Sequence, residues 1–408
     1  MKQFALNFIC KNESHVIRRM LNSTKPITDL IVAIDTGSTD KTMAIIREHG
    51  TKHNIPTYVF ERPFDNFCNS RNYALNRLKE VVESLSWDPN STWGFWIDCD
   101  ETMHIERNFD KETISYDYHY VPCVEGESRH IKSLFFRLSL NWTWVNPIHE
   151  HLACKGQNLS NSTIESIHIQ YERKGASWNG NLETKFLNYV AMLNDYVSEE
   201  NRSFPWLCDM AESYHAAADE CRPKNRKKTL LMKSVKYYKE AIGMNTGTRD
   251  QRYSLFRKIA MATLSLKEDW SNIRETLLTA YATDKRHAEP FFDILKHYMK
   301  TNQWQIAYLY SSFALSNYHD RMPKDKDITS QVIVSLYNWK LLLFHSIISV
   351  RSGRIEQGKS AYSELSGIVE RQPDSFKKKE LNLIHMNSPT IILGIPKIHA
   401  LILKGLLN

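Results

Sequence analysis

Apolar runs alternate with amphipathic stretches over the first hundred residues of the chain. Four segments have the composition of strands: residues 4–10, 29–35, 56–61 and 93–98. The stretches between them carry apolar residues at helical spacing: residues 14–22, 39–48 and 69–85. Strands that alternate with helices in this way usually form a mostly parallel sheet. The pattern therefore predicts an α/β domain at the start of the chain.

From about residue 181 the apolar positions follow a helical period and the strand alternation stops. Three pairs of helices are predicted, and each pair has small residues where two helices would approach closely. Their apolar positions are Leu207, Met210, Ala211 and Tyr214 with Ser234, Tyr238 and Ala241; Phe256, Ile259 and Ala260 with Ile273, Leu277 and Ala280; and Phe292 and Leu295 with Ala307, Ser311 and Ala314. The repeat is irregular, so the pattern predicts degenerate helical hairpins rather than a regular array. We place the boundary between the two domains at residues 175/176.

The fourth predicted strand ends in the acidic triplet Asp98-Cys99-Asp100. Residues two apart on a strand point the same way, so the two carboxylates would repel each other unless a cation lay between them. Oxygen ligands at this spacing suit Mg²⁺ or Mn²⁺, and open α/β sheets bind ligands at the carboxyl edge where such a strand ends. The alternative interpretation is a strand end with solvated turn acids. The first two strands also end in polar clusters, which favours a nucleotide site at this edge.

Four motifs within about 100 residues resemble those of family 2 glycosyltransferases with the GT-A fold. They are Asn12-Glu13, the turn 35–40 (DTGSTD), the stretch 69–72 (NSRN) and Asp98-Cys99-Asp100. The later stretches 140–144 (LNWTW) and 148–152 (IHEHL) are similar to a subgroup in which tetratricopeptide-like helices follow the catalytic domain. This subgroup includes the sublancin-type S-glycosyltransferases. The resemblance covers residues 2–175 well and the remainder only in architecture.

The resemblance implies a role for each residue at the strand ends. Asn12 and Glu13 would line a uridine pocket, and Asp35 would read the nucleobase. Asp98 would contact the ribose or the metal, Asp100 would bind the metal that bridges the donor phosphates, and Arg71 would face the diphosphate or the base. A surface salt bridge is the alternative for Arg71. For Asp40 a helix cap is favoured, and it is left out of the site.

Three later features complete the predicted site. Inversion at the anomeric carbon needs a base opposite the leaving group, and Glu150 is the candidate, with a surface acid as its alternative. Trp142 and Trp144 are predicted to contact the sugar or the acceptor. Either His168 or His149 would complete the metal shell, and the sequence does not separate them. A histidine flanked by isoleucines is also often a core residue.

The charge of the chain is concentrated in one segment. Residues 222–258 hold twelve basic and two acidic residues, although the formal net charge of the whole chain is only +7. The spacing between Ala211 and Ser234 exceeds that of an ordinary repeat, so a basic insertion is predicted at about residues 219–229. Arg226, Lys227 and Lys228 would attract a polyanionic acceptor at low salt. A merely solvated basic loop and a contact with anionic lipid are the alternatives.

Other features of the sequence bear on location and assembly. Seven cysteines without a CxxC pair favour reduced thiols, and the first strand leaves no room for a leader, so a cytoplasmic protein is expected. No apolar stretch is long enough for a transmembrane helix. The apolar residues 390–407 would close the last helical layer, with a dimer or membrane-surface contact as alternatives. The helical domain could also form a homodimer.

Taken together, these features predict an inverting, metal-dependent hexosyltransferase. Its donor would be a nucleoside-diphosphate sugar, with a UDP-sugar favoured, and its cofactor Mn²⁺ or Mg²⁺. The acceptor would be a macromolecule, with a hydroxylated base in DNA narrowly favoured over a peptide, protein or polysaccharide. A non-catalytic helical scaffold that carries a decayed transferase domain is the alternative of another class.

Overall fold

The computed structural model describes residues 2–126, 128–154, 156, 158–197, 202–323, 330, 332–372, 380–382 and 384. These residues form two compact units, Met1–Thr246 and Gly247–Asn408. The apolar tail at residues 390–407 lies outside the described residues, so its predicted roles stay open. No helix in the described ranges has the length and apolar character needed to cross a membrane.

The first unit begins with strands and helices in alternation, as the sequence predicts. Its strands are β1 (Gln3–Cys10), β2 (Leu30–Asp35), β3 (Thr57–Glu61), β4 (Thr92–Phe95), β5 (Glu101–Ile105), β6 (Tyr118–Glu125), β7 (Ser128–Arg137), β8 (Trp142–Val145), β9 (His151–Cys154), β10 (Asn161–Thr163) and β11 (Ile167–Tyr171). The helices among them are α1 (Ile17–Thr24), α2 (Thr42–His53) and α3 (Phe67–Ser84). Short 3₁₀ turns span Lys111–Thr113 and Ala176–Trp178.

The main sheet of this unit is mixed. Its strands lie in the order β3-β2-β1-β4-β7-β6-β11-β5, and β10 pairs with β6. The strands β3, β2, β1 and β4 run parallel, whereas β7 is antiparallel to both β4 and β6. The predicted parallel sheet is therefore correct for the first four strands. Beyond β4 the antiparallel hairpin of β6 and β7 enters the sheet, so the sheet becomes mixed.

Both faces of the parallel half are covered by helices, which explains why its strands are continuously apolar. On one face Phe4, Leu6 and Phe95 pack with Ile17 and Met20 of α1. On the other face Ala5, Leu30 and Val32 pack with Leu75 and Leu78 of α3. Because β1, β2 and β4 are parallel, their carboxyl ends meet at one edge of the sheet. The polar segments that follow these strands consequently lie together.

Helices follow the sheet, which confirms the predicted order of an α/β region and then an all-helical region. The helices are α4 (Leu182–Tyr196), α5 (Phe204–Glu220) and α6 (Lys224–Gly243) in the first unit, and α7 (Arg249–Ser265), α8 (Trp270–Thr283), α9 (Glu289–Lys300), α10 (Trp304–Tyr318), α11 (Leu341–Arg351) and α12 (Ile355–Arg371) in the second. The second unit also contains the short strand β12 (Val332–Ile333) and a π-helical turn at Leu336–Lys340. The change from strands to helices falls near the predicted residue 175. The division into compact units falls later, because α4 packs its Tyr189 against Phe67 of α3, with ring centroids 5.9 Å apart.

The helical positions chosen from the sequence are largely those that the hairpins bury. Met210, Ala211, Ser234, Tyr238 and Ala241 are buried in the pair α5 and α6. The predicted positions in α7 to α10 are also buried, apart from Phe256, which is half-buried. Small residues at these positions let paired helices approach closely.

Candidate functional site

The loops that follow β1 and β2 are joined to each other by hydrogen bonds. Asn12 has a left-handed backbone with φ 57°, and its Oδ1 accepts a hydrogen bond from the backbone N–H of Thr39 at 2.8 Å. The backbone N–H of Asn12 donates to Ser38 Oγ at 2.9 Å, and that of Glu13 donates to Thr42 Oγ1 at 2.8 Å. The two strand ends therefore form one fixed polar platform.

Asp35 stabilises the turn that follows its own strand. Its Oδ2 accepts hydrogen bonds from the backbone N–H groups of Gly37 at 3.1 Å and Ser38 at 2.8 Å. Gly37 adopts φ 106°, a conformation that a side chain would strain, so the glycine belongs to this turn. Asp35 is buried, and its predicted contact with a nucleobase stays a prediction.

Arg71 of α3 connects two of the predicted site carboxylates. Its Nη2 donates to Asp98 Oδ1 at 2.7 Å, and its Nε donates to Glu150 Oε1. The guanidinium is buried beneath Trp96 and Trp144, whose ring centroids lie 4.5 Å and 5.0 Å from its central carbon. A surface salt bridge, the alternative from the sequence, is thus excluded for Arg71.

Asp98 and Asp100 are in different electrostatic environments despite their proximity in sequence. Burial works to raise the pKa of Asp98, but the charges of Arg71 and Lys132 outweigh it and hold that pKa below its usual value. The pKa of Asp100 is raised, first by burial and then by the neighbouring charge of Asp98. Asp98 is therefore already neutralised by protein cations, whereas Asp100 is not.

Glu13 joins Asp100 beneath a short backbone segment. The N–H of Gly175 donates to Asp100 Oδ2 at 3.0 Å, and the N–H of Ala176 donates to both oxygens of Glu13 at 3.1 Å. Burial raises the pKa of Glu13 to about 7; the bond from Ala176 opposes this rise and the charge of Asp100 adds to it. A Cβ on Gly175 would lie 3.0 Å from Asp100 Oδ2, so only glycine fits here without a shift.

Among the described residues, the three side chains whose possible ligand atoms all lie within 4.8 Å of one another are Asp250, Asp284 and His287 of the second unit, and the carboxylates at this edge of the sheet are more widely spaced. Asp98, Asp100 and Glu13 offer carboxylate oxygens, the ligand type that Mg²⁺ and Mn²⁺ prefer. Burial raises the pKa values of Glu13 and Asp100, and the charges of neighbouring carboxylates add to the rise.

His149 lies beside the site and His168 lies in another cluster. His149 has a left-handed backbone with φ 47°, and its ring centroid lies 6.3 Å from that of Tyr189. His168 of β11 pairs with His104 of β5, and their rings stack at 4.7 Å. Burial lowers the pKa of His168, as does the charge of His104. His149 directly precedes Glu150 in the sequence, whereas the described contacts of His168 are with β5. The choice between the two as a metal ligand stays a prediction.

The two tryptophans predicted to contact the sugar or the acceptor lie in the core. Only 5% of Trp142 and 3% of Trp144 is exposed. Trp142 packs edge-on against Tyr118 and Phe136, and Trp144 packs edge-on against Trp96. The alternation of β8 turns both indoles inward, where each buries a large apolar area. This corrects the expectation of an exposed aromatic wall, and Trp144 instead supports Arg71.

The predicted basic insertion is helical and not a loop. Lys224 begins α6 only four residues after α5 ends at Glu220, so the extra residues lengthen the helices. Arg226 Nε lies 2.6 Å from Glu183 Oε1, and Lys227 Nζ lies 3.6 Å from Asp219 Oδ1. Lys228 is exposed. Seven basic residues and one acidic residue still occupy Lys224–Gly243.

Two lysines of the site were missed by sequence reasoning. Lys132 of β7 lies 2.6 Å from Glu101 Oε2 and 4.0 Å from Asp98 Oδ2, with its Nζ 3.8 Å from the centroid of Trp96. Lys185 of α4 lies over Trp178, and burial lowers its pKa to about 8 although Asp100 acts in the opposite direction. Neither lysine belongs to a sequence motif. Antiparallel pairing of β7 brings Lys132 to the site, and packing of α4 brings Lys185.

Sequence comparison relates the chain to proteins named as glycosyltransferases. It is 24% identical over 273 residues to the SPbeta prophage-derived glycosyltransferase SunS of Bacillus subtilis, a match that covers 64% of this chain and 58% of SunS. It is 33% identical over 106 residues to the uncharacterized glycosyltransferase RC0292 of Rickettsia conorii, a match that covers 26% of this chain and 32% of that protein. No family model matches the sequence.

Structural comparison gives weaker likenesses. The chain matches the crystal structure of S. aureus TarS 1-349 in complex with UDP with a TM-score of 0.34 and 11% identity, over 67% of this chain and 90% of that one. The sequence matches thus make the chain a distant relative of proteins named as glycosyltransferases, and the chain spans less than two thirds of the length of SunS.

Proposed function

We propose that this protein is a metal-dependent, inverting glycosyltransferase that uses a nucleoside-diphosphate sugar, with a UDP-sugar as the favoured donor. The observation that carries the proposal is the convergence of Glu13, Asp98 and Asp100 at the carboxyl edge of the parallel strands. Asp98 accepts a hydrogen bond from the buried Arg71, and the pKa values of Glu13 and Asp100 are raised first by burial and then by neighbouring carboxylate charges. Such an arrangement suits a cation and a diphosphate better than a purely structural role.

Asp100 and Asp98 would hold the divalent cation, with Glu13 and His149 as neighbouring ligand candidates. When bound, the cation would supply positive charge to the leaving nucleoside diphosphate. Arg71 holds Asp98 in place through the 2.7 Å bond from its Nη2. The loops joined by Asn12 would line the nucleoside pocket, and Asp35 would keep the shape of its turn.

Glu150 is the proposed general base. Its hydrogen bond with Arg71 Nε fixes its side chain beside Asp98. An inverting transfer needs one carboxylate that accepts the proton of the acceptor hydroxyl as that oxygen attacks the anomeric carbon. The bond from the anomeric carbon to the phosphate oxygen breaks in the same step, and the nucleoside diphosphate leaves with the electron pair.

The basic face of α6 supports a polyanionic acceptor, with nucleic acid as the favoured class. The side chains of Lys224, Arg226, Lys228, Lys233 and Lys236 are exposed along this helix. The ion pairs of Arg226 and Lys227 reduce the free charge but leave the face strongly positive. If the acceptor is instead a peptide, a protein or a polysaccharide, binding of the acceptor should not depend on this face of α6.

Incubation of the protein with UDP-sugars and Mn²⁺ tests the proposal. Slow release of UDP without an acceptor is expected for an active transferase, and a survey of labelled sugar in DNA, protein and glycan fractions would then identify the acceptor. Absence of release with every nucleotide sugar would favour the non-catalytic scaffold. EDTA should abolish the release, and undiminished release in EDTA would refute the metal-dependent form of the proposal.

A further inference from the structure

Lys185 occupies an unusual position in the first turn of α4. The helix begins at Leu182 and is capped by Asn181, whose Oδ1 accepts a hydrogen bond from the N–H of Thr184 at 3.0 Å. Lys185 Nζ lies 3.6 Å from the centroid of Trp178 and 3.2 Å from Ser177 Oγ. Ser177 and Trp178 directly follow Gly175 and Ala176, whose N–H groups bind Asp100 and Glu13. One short segment thus connects Lys185 to the carboxylate cluster.

Among the residues that the structure describes, no carboxylate lies within ion-pair distance of Lys185 Nζ. The other buried or half-buried cations of the site differ in this respect. Arg71 is paired with Asp98 and Glu150, Lys132 with Glu101, and Arg19 with Glu172. Lys185 is half-buried and lies close enough to Asp100 for their charges to interact. A half-buried ammonium that contacts aromatic rings and one hydroxyl keeps donor hydrogens with which to bind an anion.

The geometry points to Lys185 as a binding residue for the diphosphate of the sugar donor. The inference rests on the proposed function and adds to it a residue that comes from the helical region and not from the sheet. A diphosphate carries more negative charge than one divalent cation can neutralise, so a further cation beside the carboxylate cluster would be stabilising. Trp178 holds the ammonium from below, which leaves donor hydrogens for phosphate oxygens.

A diphosphate fits this position better than the neutral hydroxyls of a sugar. Burial of an ammonium without an ion pair costs free energy, and a charged ligand recovers that cost whereas a hydroxyl recovers only part of it. Arg173 contacts the same indole from a centroid distance of 4.9 Å, so two cations contact Trp178. Arg173 is already paired with Glu125, which leaves Lys185 as the stronger candidate.

Calorimetric titration of UDP and of uridine in the presence of MnCl₂ tests the inference. Uridine lacks the phosphates, so the pair separates phosphate binding from nucleoside binding. The variants are K185Q, which removes the charge, and K185R, which keeps it. The matched control is K340Q, because Lys340 also lies over an aromatic ring, 5.5 Å from the centroid of Trp339, and belongs to the second unit. Circular dichroism and the thermal midpoint would verify that each variant is folded.

We expect K185Q to weaken UDP binding by about 10- to 100-fold, the effect of one lost hydrogen bond to a charged group. Uridine binding should change by less than about twofold, and K185R should retain most of the affinity for UDP, since it keeps the charge. K340Q should match the wild type with both ligands. Equal UDP binding by K185Q and the wild type, or an equal loss of UDP and uridine, would overturn the inference alone. A wild-type protein that binds no nucleoside diphosphate would overturn the proposed function as well.

Discussion

Each compact unit of the protein contains a cluster of buried charges, and the two clusters differ in how completely they are paired. In the second unit His287 lies 3.1 Å from Asp250 and 3.7 Å from Glu289, and all three are 0% exposed. Ser330 donates to Asp250 through both its N–H and its hydroxyl, at 2.8 Å and 2.6 Å. In the first unit Asp100 and Glu13 receive only backbone N–H groups, and Lys185 has no carboxylate partner within the described residues.

This difference in pairing distinguishes a structural charge network in the second unit from the proposed ligand site in the first unit. Asp250, Asp284 and His287 are close enough to hold a metal ion. However, Asp284 is bound by Arg286 with an Nη2 to Oδ2 distance of 2.6 Å, and His287 stacks on Tyr253 at 3.9 Å. Burial works against the charge of His287, but Asp250 and Glu289 outweigh it and raise its pKa to about 9. The positive charge of His287 therefore already compensates the carboxylates of the second unit. Of the three site carboxylates in the first unit, only Asp98 has such cationic partners among the described residues, and backbone N–H groups contact Asp100 and Glu13.

Breaking the paired cluster of the second unit should have the largest effect, and the quantity that changes should be the free energy of unfolding. Asp250→Ala would leave His287 and both donors of Ser330 without their partner. Loss of one member of a buried ion pair costs about 3–5 kcal/mol. Urea unfolding should show this loss in the free energy of unfolding, while UDP binding by the folded protein stays unchanged. A loss below about 1 kcal/mol would mean that the cluster is not a stabilising network.

Asp100→Ala should have the opposite profile. Removal of a carboxylate that holds the cation should lower transfer by about 10²- to 10³-fold, the size of a lost electrostatic contact to a developing charge. The thermal midpoint should not fall, because a carboxylate with a raised pKa is held in the fold at some cost. The matched control is Asp88→Ala at an exposed turn. Near-normal activity of Asp100→Ala in EDTA would contradict the metal-dependent proposal.

Glu150→Gln should lower transfer by at least about 100-fold, the usual effect of a lost general base. The amide oxygen can still accept the hydrogen bond from Arg71 Nε, so the geometry around Asp98 should persist. UDP binding measured by calorimetry should therefore match the wild type. Unchanged transfer would assign the base to another residue or to the acceptor itself.

The pH dependence of stability should report His287. Its pKa is raised to about 9 in the folded protein, above the value of about 6.5 expected in the unfolded chain. Its contribution is fully present below pH 6.5 and is lost as the pH rises through 9. Between pH 7 and pH 9 the free energy of unfolding should fall by about 2 kcal/mol from this group. In His287→Gln this decrease should be missing, and an equal decrease in both proteins would refute the assignment.

Charge reversal on α6 should have the smallest of these effects. Arg226→Glu, Lys227→Glu and Lys228→Glu together should weaken DNA binding and flatten its salt dependence, by about 0.9 in the log–log slope for each lost phosphate contact. Donor hydrolysis should stay unchanged. If the wild type ignores DNA at low salt, or if the triple variant binds DNA equally well, the basic face is only a solvated surface.

The apolar periodicity of the chain predicted its elements because that periodicity reflects local physics. The strands β1, β2 and β4 are continuously apolar since helices cover both faces of the parallel half. The hairpin positions Ala211, Tyr238 and Ala260 are buried as their spacing indicated. Periodicity could not assign the tryptophans of β8, because either face of a strand can carry an aromatic residue. It also predicted a basic insertion at about residues 219–229, although the basic residues of this segment from Lys224 onward belong to α6.

The sequence by itself determined which residue types meet at the sheet edge, since parallel strands bring their carboxyl ends together. Glu13, Asp98 and Asp100 lie close enough for their charges to interact for that reason. Only the tertiary structure decided how these groups are paired. Arg71 and Lys132 neutralise Asp98, whereas Gly175 and Ala176 cover Asp100 and Glu13 with backbone N–H groups. These partners come from distant segments, so their effect on each carboxylate depends on packing distances that no local pattern encodes.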